Sequence, residues 1–129
     1  MKRMAVARRS FVGGGLALAL LGKGALAMAE GTAMYGMIGK MKAQPGQRAA
    51  LVAILTQGSG TMPGCLSYIV AEDLADVDAL WVTEVWDSKA SHDASLALPA
   101  VKDAIQRGRP LIAGFEKAAE TRPVGGVSR

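Results

Sequence analysis

The chain has 129 residues, half of them apolar, and its 15 Lys and Arg against 11 Asp and Glu give a formal charge of +4. Five of those cations, Lys2, Arg3, Arg8, Arg9 and Lys23, stand near the start, and without them the balance is −1. The remaining cations are scattered among the acids and form no stripe, which argues against a nucleic-acid footprint. Cys65 is the single cysteine, so an intrachain disulfide is excluded, and no Cys/His cluster has zinc spacing.

Residues 1–29 carry Arg8-Arg9 shortly before Phe11, a Gly-rich apolar run from Val12 to Leu21, Lys23, and small residues at Ala25, Ala27 and Ala29. This is the order of charged, apolar and cleavage regions in a secretory leader. The apolar run is only about a dozen residues long, where a bilayer span needs roughly 20, so no stable membrane insertion is expected. The paired arginines, the weak apolar core and the lysine before the cut site resemble the bacterial twin-arginine export signal. That resemblance implies a periplasmic or secreted protein. Cleavage after Ala29 leaves 30–129 as one domain, with its core over about 34–124.

The first strand is expected over Met34–Lys42, where Tyr35, Met37, Gly39 and Met41 share a face and Met34, Gly36 and Ile38 the other. Gln44-Pro45-Gly46 should end it and open a helix, because proline is tolerated in a first helical turn. Ala50, Leu51, Ile54 and Leu55 recur at helical spacing to about Gln57, and Gly58-Ser59-Gly60 stops them. After the Pro63-Gly64 turn, Cys65–Glu72 reads as a second strand with Leu66, Tyr68 and Val70 on one face. The loop Asp73–Asp78 joins it to a third strand, Ala79–Trp86, and so short a link makes the two antiparallel. Asp73, Asp76 and Asp78 lack the glycine and distal glutamate of an EF-hand and read as a solvated loop. Asp87 or Ser88 can cap a helix over Lys89–Ala97, and Pro99 starts another that ends near Arg107-Gly108. Arg107-Gly108-Arg109-Pro110 could meet an anionic substrate, but the structural account is preferred: Arg107 complements the helix C-terminus and Gly108-Arg109-Pro110 breaks the helix. A final strand is expected over about Glu116–Val124, followed by a frayed tail. Cys65 reads as a small buried apolar side chain.

The order β-α-β-β-α-β is that of an α+β, ferredoxin-like antiparallel sheet with helices on one face. Strands one and three are apolar on both faces, so a monomer would expose a large greasy surface. A two-fold homodimer that brings the bare sheets together is the expected solution.

Four motifs carry a family resemblance: Pro45-Gly46, Met62-Pro63-Gly64-Cys65, Thr83-Glu84-Val85-Trp86-Asp87-Ser88, and His92 with Ser95-Leu96. In this order and spacing they resemble antibiotic biosynthesis monooxygenase domains over about Met34–Val124. The resemblance implies a dimeric α+β barrel. Enzymatic members oxidise phenols, quinols or anthrones with O2 and use no metal, flavin or haem. The expected partners are therefore a second copy, O2 and a small aromatic or hydrophobic molecule.

Such chemistry needs a dry aromatic pocket and a group that takes a proton. His92 is the single imidazole and shares a helix face with Ser95, Leu96 and Pro99. His92, Glu84 and Ser95 are thus the catalytic candidates, and Trp86, Tyr35, Tyr68 and Trp81 the substrate-binding ones. Trp81 and Trp86 also suit a core or a dimer interface, and Glu84 a structural ion pair. Related domains usually carry histidine where this chain has Ser95, which leaves two alternatives open. One is a non-catalytic barrel that binds a hydrophobic ligand, and the other a haem-binding relative with an axial histidine.

Overall fold

The computed structural model describes residues 33–57 and 61–127. The leader over 1–29 and the helix stop at Gly58-Ser59-Gly60 lie outside the described residues. In chain order the elements are β1 (Tyr35–Ala43), α1 (Arg48–Gln57), β2 (Cys65–Glu72), β3 (Ala79–Trp86), α2 (Lys89–Ser95), α3 (Pro99–Gly108) and β4 (Ile112–Thr121). The strands form one antiparallel sheet in the order β2-β3-β1-β4, the ferredoxin-like α+β arrangement.

The sheet face under the helices takes alternate residues of each central strand: Tyr35, Met37 and Met41 from β1, and Leu80, Val82, Glu84 and Trp86 from β3. Leu51 of α1 is fully buried against Met41, Ala43, Leu80 and Val82, and Leu55, Tyr68, Val70 and Ile112 close around them. The opposite face carries Ile38, Ile69, Trp81, Thr83 and Val85 between polar residues, and Ile69 is 57% exposed there.

Four boundaries differ from expectation by two residues or more. α1 begins at Arg48, three residues after Pro45, because Gly46 has φ +76°, a left-handed conformation that cannot enter a helix. Gln47 N–H instead closes a turn on the Gln44 carbonyl at 2.9 Å. α2 stops at Ser95, two residues early, since Leu98 precedes Pro99 and is held extended. β4 starts at Ile112, four residues early, directly after the 3-10 turn Arg109–Leu111, and it pairs with β1 from Ala43 onward. It ends before Pro123, which has no N–H to give a ladder.

The acidic β2–β3 loop is consumed by its own fold. Asp73 accepts from Ala75 N, Asp76 N and Trp81 Nε1 (2.8 Å), and these bonds, the indole's foremost, hold its carboxyl down at about 2. One Arg48 nitrogen donates to the carbonyls of Asp73, Asp76 and Ala79 at 3.0–3.2 Å. Among the described residues no group of His, Cys, Asp and Glu is arranged to hold a metal ion.

Candidate active site

The Pro63-Gly64 turn and the end of β3 hold α2 in place. Gly64 has φ +85°, and its carbonyl accepts from Asp87 N at 2.8 Å. Ser88 caps α2 through Ser91 N at 3.1 Å. So anchored, α2 lays His92 over the sheet, 12% exposed, with its ring centre 5.1 Å from that of Tyr35 and 5.5 Å from that of Trp86.

His92 Nδ1 lies 3.1 Å from Asp93 Oδ1. A carboxylate can only accept, so a neutral ring carries its hydrogen on Nδ1 and keeps Nε2 free to take a proton. The same contact, with help from Lys89, draws the Asp93 carboxyl below its usual range. The Tyr35 hydroxyl donates to Glu120 Oε2 at 2.7 Å. Burial and that carboxylate push Tyr35 up to about 12, so it remains a phenol at neutral pH.

Glu84 is in register with Met37 on one side and Tyr68 on the other, beneath the helices. It forms no ion pair among the described residues. Burial raises its carboxyl above the usual range, and nearby His92 and the Trp86 indole pull it partly back. Trp86 is fully buried and its Nε1 has no partner in hydrogen-bonding geometry among the described residues, so the indole acts on Glu84 by proximity alone.

Between α1, α3 and the sheet lies a cavity of 520 Å³, walled by apolar side chains such as Met41, Leu51, Leu55, Ala104, Ile112 and Phe115. That volume falls in the range of about 300–1,000 Å³ typical of small-molecule sites. Tyr68 belongs to its wall, and its hydroxyl makes no hydrogen bond among the described residues. Burial, reinforced by Glu84, pushes Tyr68 up to about 12, which leaves it a hydrogen-bond donor. Tyr68 thus belongs to the cavity wall and stands opposite Glu84 in the β2–β3 ladder. A second depression of 400 Å³ shares Met62 and Tyr68 with the first and includes Cys65, whose thiol burial pushes up.

The fold gathers Tyr35, Glu84, Trp86 and His92 into one cluster, with Tyr68 linking it to the cavity, although His92 is not in the cavity wall. Ser95 is buried, and its Oγ donates to the His92 carbonyl at 2.6 Å, a bond inside the helix. Trp81 stands on the opposite sheet face, tied to Asp73 and with the Lys40 ammonium 5.7 Å from its ring centre. Asp93, Glu120, Phe115 and Arg109 were not singled out as site residues from sequence. Asp93 could have been, because it adjoins the histidine. The other three depend on strand register and on where β4 begins.

The family described as antibiotic biosynthesis monooxygenase matches residues 34–107. The chain belongs to that family. A solved Chloroflexus aurantiacus J-10-fl protein whose name places it among the antibiotic biosynthesis monooxygenases is 64% identical, with 74% of this chain and 97% of that one covered and a TM-score of 0.73. A Deinococcus radiodurans protein named for the same family is 27% identical, covering 74% of this chain and 97% of its own, with a TM-score of 0.61. A third, from Caulobacter crescentus CB15, is 19% identical over 78% of this chain and 99% of its own, and its TM-score of 0.67 supports the fold alone. No curated protein matches the chain. Within this antibiotic biosynthesis monooxygenase fold, Tyr68 of the cavity wall is paired in register with Glu84, which like His92 lies outside that wall.

Proposed function

We propose that this family member oxidises a small aromatic of the quinol or phenol type with O2 inside the 520 Å³ cavity. The observation that carries the reading is the apolar chamber bordered by Tyr68, itself beside a carboxylate that has no ion-pair partner among the described residues. A quinol reduces O2 far more readily once deprotonated. Tyr68 suits a donor to the substrate oxygen, and Glu84, whose carboxyl burial raises, and His92 Nε2 are the groups outside the cavity wall suited to receive that proton by relay. A 1,4-dihydroxynaphthalene with one O2 would give the hydroxyquinone and one water, one oxygen atom entering the ring and the other leaving reduced. The family resemblance supports doing this without metal, flavin or haem. Trp86 and Tyr35 hold His92 in position, and Ser95 acts through its helix bond. We further propose that the protein works as an exported homodimer.

The test is oxygen uptake by the purified chain with 1,4-dihydroxynaphthalene after treatment with a chelator. Catalysed uptake yielding 2-hydroxy-1,4-naphthoquinone is the expected result. Tight binding of the aromatic with no uptake would favour the non-catalytic barrel, a reading to which the absence of His92 from the cavity wall lends weight.

A further inference from the structure

We infer that the cavity selects aromatic ligands bearing an anionic group, and that Arg109 receives that group at the cavity mouth. This rests on the reading of the cavity as the ligand site and adds the ligand's charge. Two arginines flank the end of α3, and they have different fates. Arg107 Nε is bound to Asp103 Oδ2 at 2.8 Å along the helix, so its charge is matched. The Arg109 side chain makes no ion pair or hydrogen bond among the described residues, and it belongs to the cavity wall. Buried Gly108 holds the chain there: a Cβ on it would sit 3.4 Å from Leu51 Cδ1, so the turn carrying Arg109 is seated against the core.

The composition of the wall decides the sign. Among the described residues no aspartate or glutamate lines the cavity, and Arg109 and Tyr68 are its two polar side chains. Tyr68 lies on β2 and Arg109 leads into β4, at opposite edges of the sheet. Three strand spacings, about 14 Å, separate those edges. A ligand with an apolar aromatic body, a hydroxyl at one end and a carboxylate or phenolate at the other would satisfy both groups. A planar guanidinium also suits a carboxylate geometrically.

The experiment is calorimetric titration of the full chain with 2-naphthoate and with its neutral isostere 2-naphthamide at low salt. Naphthoate is expected to bind about fivefold more tightly, the size of an exposed ion pair, and added salt should shrink that preference. Arg109→Gln should abolish the preference while leaving naphthamide binding unchanged, and Arg109→Lys should restore part of it. Equal affinities in the wild type would overturn the inference while leaving the cavity as a ligand site. A preference that survives Arg109→Gln would overturn the assignment to Arg109, as would a variant that changes only thermal stability, the signature of a helix-end role. Binding of neither probe would overturn this inference and the cavity reading together.

Discussion

Glu84 carries the most exposed consequence of the site's design at the scale of one residue. Burial lifts its carboxyl, so the folded chain holds that proton more tightly than the unfolded chain does. The stability linked to it is complete below the unfolded carboxylate value of about 4.3 and is lost as pH rises through the higher folded value. Glu84→Gln should therefore melt at a higher temperature than wild type at pH 7, and the difference should vanish below about pH 4 on the same linkage. Thermal unfolding followed across that range checks both statements. His92→Ala should slow quinol oxidation at least about tenfold, the lower end of what a positioned base contributes, and steady-state oxygen uptake reads it out. Equal rates would remove His92 from the mechanism. Single residues were unevenly legible in the sequence. Trp86 and His92 were each named as candidates, but their ring contact was not read from sequence, because it depends on how the capped start of α2 turns back over β3. Trp81 could not be placed so easily, because its partner Asp73 is reached only through the loop's turns. Arg109 read as a helix breaker, although the i,i+4 spacing of Asp103 and Arg107 already marks Arg107 as the paired arginine.

Among elements, the Pro63-Gly64 turn is the hinge point between the sheet and the helix that bears His92. A Cβ at Gly64 would come within 2.5–2.6 Å of the Ser91 side chain, and its φ of +85° disfavours any L residue. Gly46 has a similar φ of +76° but open space around it. Gly46→Ala should cost about 1–2 kcal/mol for the left-handed conformation alone. Gly64→Ala should cost more than that, measured by denaturant unfolding, and should also displace α2. Strands β2 and β3 matched their expected limits because turn residues bound them and apolar side chains alternate within them. β4 was read four residues late. It is an edge strand with one exposed residue after another, so no burial pattern marks its start, and Gly114 and Pro110 disguise it further. The turn at Pro45-Gly46 was hidden for a related reason: proline fits a helix start, and only the positive φ of its neighbour excludes one.

For the whole molecule, the order of elements was enough to give the ferredoxin-like sheet, while the cavity beneath its helices was not foreseen, since it depends on how α1 and α3 pack. The apolar residues on the open sheet face support the proposed dimer. Sedimentation of the processed chain at micromolar concentration should show two subunits, and Ile69→Lys, on that face, should shift it to one without unfolding it. A stable wild-type monomer would remove the dimer from the account. The central claim concerns the chamber itself. Its most direct test is a crystal structure with 2-naphthol soaked in at saturating concentration. The account predicts the ring system between α1, α3 and the sheet, its hydroxyl within hydrogen-bonding distance of Tyr68 Oη. An empty chamber, or naphthol bound elsewhere on the protein, would contradict it.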